Sequence, residues 1–87
     1  MMKEITYFYL KGCPYCRKAD GIIADLIAEN PAYAAVPIRK IEERQEAEIA
    51  DSYDYYFVPC LWIGEEKLLE GPANVEKIRE IFEKALH

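Results

Sequence analysis

The distribution of apolar residues predicts seven secondary-structure elements, of which two are strands with apolar residues on both faces. Residues 4–10 are rich in aromatic and β-branched side chains, with Ile5 and Tyr7 on one face and Phe8 on the other. Residues 60–63 form a second segment of the same kind. A strand that is apolar on both faces is usually covered on both sides. We therefore expect these two strands at the centre of a sheet.

Apolar residues recur at helical spacing after Pro14 and again after Asn74. The first stripe consists of Ala19, Ile22, Ile23, Leu26 and Ile27, and the second of Ile78, Ile81, Phe82, Ala85 and Leu86. Pro14 suits the first turn of a helix, and Asn30-Pro31 is expected to end that helix. Asn74 is a candidate N-cap for the last helix.

The remaining segments complete the order β-α-β-α-β-β-α. Residues 35–41 predict a second strand, and residues 43–52 predict a short polar helix with a thin apolar stripe. The turn Gly64-Glu65-Glu66 leads into a fourth strand at 67–69 and so predicts a hairpin. These elements indicate an α/β fold with a four-stranded mixed sheet and helices on both faces.

Length and charge limit the functions that this chain can have. Its 87 residues predict a single domain, 1–87. Eleven basic and sixteen acidic residues give a net charge of -5, which argues against nucleic-acid binding. No apolar run approaches the roughly 18 residues of a membrane span, and Met1-Met2-Lys3-Glu4 does not resemble a signal peptide. We expect a soluble, cytoplasmic monomer that contacts neither nucleic acid nor membrane.

Two of the three cysteines form the motif Cys13-Pro14-Tyr15-Cys16 at the junction of the first strand and the first helix. Unpaired N–H groups and the positive end of the helix dipole stabilise an anion at such a position. Lys11, Arg17 and Lys18 add positive charge nearby. These features favour ionisation of the Cys13 thiol, whose thiolate is the reactive species.

The favoured interpretation of this pair is redox chemistry, with Cys13 as the nucleophile and Cys16 as the thiol that attacks the resulting mixed disulfide. Three alternatives remain: a zinc site, an iron–sulfur cluster shared between two subunits, and a structural disulfide. Zinc prefers four ligands, and beyond the pair the chain offers only Cys60 and His87. We therefore expect no bound metal.

The sequence resembles the glutaredoxins along essentially its whole length. The resemblance lies in Cys13-Pro14-Tyr15-Cys16, in Val58-Pro59 before the third strand, and in residues 70–74 (Glu-Gly-Pro-Ala-Asn) before the last helix. It implies a thioredoxin fold in which Pro59 is cis and lies beside the dithiol. The backbone of Val58 would then pair with an extended substrate as an added strand would.

The resemblance also implies a glutathione site formed by Lys11, Tyr15, Val58, Pro59 and Asn74. Lys11 would bind the glycyl carboxylate, and Tyr15 would pack against the tripeptide. At the two positions where relatives have carboxylates near the γ-glutamyl ammonium, this chain has Ala73 and Asn74. Phe57 stands where relatives often have threonine. We therefore expect weaker glutathione binding, with Asn74 acting either as a ligand or only as a helix cap.

Two features outside the dithiol have more than one interpretation. Cys60 is either a small apolar core residue or a third redox-competent thiol. The cluster of Tyr53, Tyr55 and Tyr56 either packs the corner before the third strand or forms a surface for a partner.

The resemblance implies a glutathione-dependent thiol–disulfide oxidoreductase. Its partners would be glutathione, as co-substrate, and proteins that contain disulfides or glutathione mixed disulfides, and it would hold no tightly bound cofactor. One alternative is a related redoxin that thioredoxin reductase recharges. The other is a carrier of metal or of an iron–sulfur cluster.

Overall fold

The four predicted strands pair into one mixed sheet in the computed structural model, which describes residues 2–87. The strands are β1 (Ile5–Tyr9), β2 (Ile38–Glu42), β3 (Cys60–Ile63) and β4 (Glu66–Glu70), and they lie in the order β2-β1-β3-β4. β1 runs parallel to β2 and antiparallel to β3, and β3 and β4 form a hairpin. The prediction that the two doubly apolar strands are central is confirmed.

Helices cover both faces of this sheet, as the fold prediction required. They are α1 (Pro14–Glu29), α2 (Pro31–Ala34), α3 (Ala47–Asp51) and α4 (Val75–Leu86). Ile5 and Tyr7 of β1 belong to a cluster with buried residues of α1, α2 and α4. Phe8 belongs to a smaller cluster that includes Ala50 of α3. The alternation of side chains along β1 therefore supplies both cores.

The short helix α2 was missing from the predicted order. Asn30 is both the C-cap of α1 and the N-cap of α2, and its side-chain oxygen accepts the Ala32 N–H at 3.1 Å. Pro31 occupies the first position of α2. The pair Asn30-Pro31 therefore ends one helix and begins the next, whereas the prediction used only its helix-ending role.

Two predicted boundaries were also wrong. β2 begins at Ile38 because residues 35 and 36 form the turn that follows α2, where the Val36 N–H donates to the Tyr33 carbonyl at 3.1 Å. The predicted helix 43–52 is reduced to Ala47–Asp51. Residues 43–46 form turns instead, in which the Glu42 carboxylate accepts the Arg44 N–H at 2.6 Å.

The predicted cap of the last helix is confirmed. The Asn74 side chain accepts the Lys77 N–H at 2.8 Å, which satisfies one of the unpaired donors at the start of α4. Within residues 2–87, no helix combines the length and the apolar character needed to cross a membrane.

Candidate active site

The site begins where β1 ends and the chain turns into α1. Gly12 has φ +88°, a left-handed conformation that glycine adopts without a Cβ penalty. The Cys13 N–H donates to the Leu10 carbonyl at 3.1 Å across this turn. The turn places Cys13 at the N-cap of α1, with Pro14 at the first helical position.

The segment that leads into β3 lies beside this turn. Phe8 pairs with Cys60 in the antiparallel register, so Pro59 comes beside the residues that leave β1. The Val58–Pro59 peptide bond is cis, which confirms what the resemblance implied. Within residues 2–87, neither the N–H nor the carbonyl of Val58 has a hydrogen-bond partner. The molecule thus presents an unpaired backbone edge near the dithiol.

The surroundings of Cys13 favour its thiolate. Desolvation acts most strongly and raises the pKa of the Cys13 thiol. The opposing influences outweigh it: the Cys16 N–H and S–H groups, the Tyr15 N–H and the charge of Arg17 together lower this pKa below its ordinary value. Cys13 is also partly accessible, so a lowered pKa makes it the more reactive thiol.

Cys16 lies in the opposite environment. Its residue is only 2% exposed, and burial is the main reason why the pKa of its thiol is raised to about 12. The neighbouring Cys13 raises this pKa further, and so does the negative charge of Asp20. Of the two thiols, Cys13 therefore ionises more readily, while Cys16 retains its proton more strongly.

A polar group that sequence reasoning missed lies beneath Cys16. The Tyr7 hydroxyl is 2.9 Å from Asp20 Oδ1 and 3.1 Å from the Cys16 carbonyl oxygen. Asp20 also accepts from Lys40 Nζ at 3.3 Å. The only signals in the sequence are an inward tyrosine on a central strand and an acid one helical turn after Cys16.

Lys11 is attached to the end of β2 through its backbone. Its N–H lies 3.4 Å from Glu42 Oε2, at the end of β2. The N–H of Arg44, chiefly, and that of Lys11 lower the pKa of the Glu42 carboxyl, and they outweigh desolvation, which raises it. The Lys11 side chain is exposed and forms no ion pair within the part of the chain that the structure describes.

The other residues of the implied glutathione site lie in different environments. Tyr15 is 57% exposed and Pro59 is fully buried. The Gly71 N–H donates to the Pro59 carbonyl at 2.9 Å, which brings the segment leading to Asn74 beside the cis proline. The Asn74 side-chain oxygen caps α4, and Ala73 is buried. The structure therefore supports the cap interpretation of Asn74 and leaves its role as a ligand untested.

Cys60 is a core residue in this structure. It is fully buried, and the Trp62 indole N–H points to its sulfur at 3.1 Å. Burial, chiefly, raises the pKa of its thiol to about 11. Among residues 2–87, no three His, Cys, Asp or Glu side chains are grouped so that they could hold a metal ion.

The three tyrosines before β3 differ in their environments, and each of the two interpretations holds for part of the cluster. Tyr53 and Tyr55 each pack against Phe8, with ring centroids 4.7 Å apart in both pairs. Tyr56, in contrast, is 84% exposed, and the neighbouring Phe57 is 66% exposed. Two tyrosines therefore fill the corner of the core, and the third contributes an exposed aromatic side chain close to the cis proline.

Comparison with known proteins agrees with this arrangement. The glutaredoxin family model matches residues 5–68, while no curated protein matches the sequence significantly. Thioredoxin O1 from Arabidopsis thaliana, in the oxidised state, superposes with a TM-score of 0.72 at 22% identity, covering 99% of this chain and 79% of that one. For Fasciola hepatica thioredoxin the TM-score is 0.71 at 22% identity, with 97% and 81% covered.

At these identities the superpositions establish the fold, which is the thioredoxin fold. The family match spans most of the chain and includes both the dithiol motif and the Val58–Pro59 bond. Together with a dithiol at the start of α1, this match shows that the chain belongs to the glutaredoxin family.

Proposed function

We propose that this protein is a glutathione-dependent oxidoreductase that reduces protein disulfides and protein–glutathione mixed disulfides. The observation that carries the proposal is the opposite shift of the two pKa values within the dithiol. The pKa of Cys13 is lowered at an accessible helix N-terminus, whereas the pKa of the buried Cys16 is raised to about 12. An accessible thiol that ionises readily, next to a buried thiol that retains its proton, suits a reaction in two successive exchanges.

In the first exchange, the Cys13 thiolate attacks one sulfur of the substrate disulfide. A disulfide forms between Cys13 and that sulfur, and the other substrate sulfur leaves as a thiolate. The unpaired N–H and carbonyl of Val58 suit backbone pairing with an extended substrate at this stage.

The second exchange depends on the substrate. With a protein disulfide, Cys16 loses its proton and attacks the Cys13 sulfur, so that the substrate leaves reduced and a Cys13–Cys16 disulfide remains. Two glutathione molecules then reduce this disulfide and become one oxidised glutathione. With a glutathione mixed disulfide, Cys13 takes the glutathionyl group and the substrate protein leaves as a thiolate. Free glutathione then attacks the sulfur of the bound glutathionyl group, which releases oxidised glutathione and restores the Cys13 thiolate. Neither route needs a bound cofactor beyond the glutathione that is consumed.

The cellular setting forms part of the same proposal. Glutathione is the reductant of the cytoplasm, so we place this protein there, acting as a monomer on disulfide-containing proteins.

One observation favours a different reductant. Neither Ala73, which is buried, nor Asn74, whose side-chain oxygen caps α4, has a carboxylate for the γ-glutamyl ammonium. A protein of this shape that thioredoxin reductase recharges would not need that contact. This is the second candidate function.

A coupled assay with two electron donors tests both. The reduced protein is given a protein–glutathione mixed disulfide, with either glutathione and glutathione reductase or thioredoxin reductase, and NADPH consumption is measured. Turnover with glutathione supports the main proposal. Turnover only with thioredoxin reductase supports the second candidate, and no turnover with either donor contradicts both.

A further inference from the structure

Glu70, the last residue of β4, joins that strand to the segment before the cis proline. One carboxylate oxygen, Oε2, accepts the N–H groups of Tyr56 and Phe57 at 2.6 and 3.0 Å. The other, Oε1, accepts from Lys67 Nζ at 2.8 Å. A single side chain therefore fixes two consecutive peptide groups that belong to no helix or strand.

Two further bonds fasten the same segment to the hairpin strand. Lys67 Nζ also donates to the Asp54 carbonyl at 3.1 Å, and the Gly71 N–H donates to the Pro59 carbonyl at 2.9 Å. Residues 54–59 are thus attached to β4 and its end at several points. The Glu70 carboxyl is ionised at neutral pH, since the bond from Lys67, first, and those from Tyr56 and Phe57 lower its pKa to about 2.

Side-chain packing does little to hold residues 56 and 57. Tyr56 and Phe57 are 84% and 66% exposed, so their rings do not anchor the backbone in the core. The next residue is Val58, whose N–H and carbonyl are unpaired within residues 2–87. The Val58 side chain packs against the smaller core cluster, and the bonds from Tyr56 and Phe57 to Glu70 fix the backbone that leads into this edge.

We propose that Glu70 is a positioning residue for polypeptide substrates, which it serves by holding the Val58 edge in the conformation that pairs with an extended backbone. This inference rests on the proposed function. It adds that the protein selects disulfides carried by an extended polypeptide over small disulfides, and that this selection depends on Glu70. A preformed edge binds more tightly because less backbone has to be ordered when the substrate docks.

Two symmetric disulfides test the proposal. The first is the disulfide-linked dimer of a short peptide with a single central cysteine, and the second is 2-hydroxyethyl disulfide. Stopped-flow measurement gives the second-order rate constant of the reduced protein with each. For Glu70→Ala we expect the constant for the peptide to fall about fivefold, because charge-assisted bonds that order the edge are lost. The constant for 2-hydroxyethyl disulfide, which has no backbone to pair, should stay unchanged.

Glu66→Ala is the matched control. Glu66 lies on the same strand and carries the same charge, but its carboxylate pairs with Lys84 at 2.9 Å. We expect neither constant to change in this variant. Glu70→Gln retains an acceptor oxygen and should give an intermediate constant for the peptide, and it serves as the test variant if Glu70→Ala does not fold by circular dichroism.

The outcomes separate this inference from the proposed function. A selective loss with the peptide supports the role of Glu70. An unchanged constant for the peptide, or an equal fall for both disulfides, overturns it, since the second result would mean a general structural role. If the unsubstituted protein reacted with neither disulfide, the proposed oxidoreductase function itself would fail.

Discussion

Replacing Asn74 by aspartate separates the two roles considered for this residue. Asn74 caps α4 through the Lys77 N–H, and aspartate is as good an N-cap as asparagine. A negative charge at a helix N-terminus is also favourable, so the free energy of unfolding should stay the same or rise by about 0.5 kcal/mol. The helix is therefore retained, and the variant changes mainly the charge available to a ligand.

The effect on glutathione follows from the strength of the contact. If the γ-glutamyl ammonium binds at this position, a neutral hydrogen bond becomes a charge-assisted one, which is roughly twice as strong. The gain is about 1 kcal/mol, which corresponds to about a fivefold increase in affinity. We expect kcat/KM for glutathione to rise by a similar factor in the coupled assay, and the gain to shrink with added salt.

Asn30→Asp supplies the control for this experiment. Asn30 is likewise an N-cap, of α2, and its side chain accepts the Ala32 N–H at 3.1 Å. The substitution adds the same charge to the protein outside the candidate site. If the two variants have equal kcat/KM for glutathione while both remain folded, Asn74 is a helix cap alone, and glutathione binding does not use this position.

Four further predictions concern the cysteines. Cys13→Ser should abolish reduction of a glutathione mixed disulfide in the coupled assay, whereas Cys16→Ser should retain it because glutathione can remove the Cys13 adduct; equal losses would contradict the division of roles. Mass mapping of the oxidised protein should find a Cys13–Cys16 bridge with the buried Cys60 free, and any adduct on Cys60 would argue against its core role. In a Cys13→Ser background, Asp20→Asn should lower the pKa of Cys16, measured by thiolate absorbance, because it removes an opposing negative charge; an unmoved midpoint would refute this. The free energy of unfolding should fall as pH rises from about 9 towards 12, because the unfolded chain loses the Cys16 proton near 9 and the folded protein keeps it to about 12. In Cys16→Ser, the free energy of unfolding, measured by denaturant titration at each pH, should fall less steeply with pH. An equally steep fall in both proteins would count against this assignment.

Much of the sheet could be predicted because the signals for it are local. Apolar residues on both faces of residues 4–10 and 60–63 indicated central strands, and Phe8 and Tyr7 do fill opposite cores. The same local analysis missed α2, since Asn30-Pro31 has two roles and the pattern shows only one of them. It also overextended the helix at 43–52, where the apolar stripe is too thin to extend a helix over the turns at 43–46.

The dithiol was predictable for the same reason, because its motif and the following helix are contiguous in the sequence. The groups that support it were not. Tyr7 and Asp20 are 13 residues apart, and Glu70 and Tyr56 are 14 apart. Bonds of this kind join elements through tertiary structure and leave no periodic pattern, so only the fold reveals them.

The difference between the two thiols follows from one feature, the residue at which α1 begins. Because Cys13 is the N-cap, the N–H groups of Tyr15 and Cys16 favour its thiolate while its sulfur stays accessible. Because Cys16 is three residues further on, its side chain lies inside the first turn, where burial opposes ionisation of its thiol. The C-x-x-C spacing allows the two sulfurs to meet, but it does not distinguish them. If α1 began one residue later, Cys13 would lie outside the cap and lose these interactions, so the start of the helix determines which of the two thiols ionises more readily.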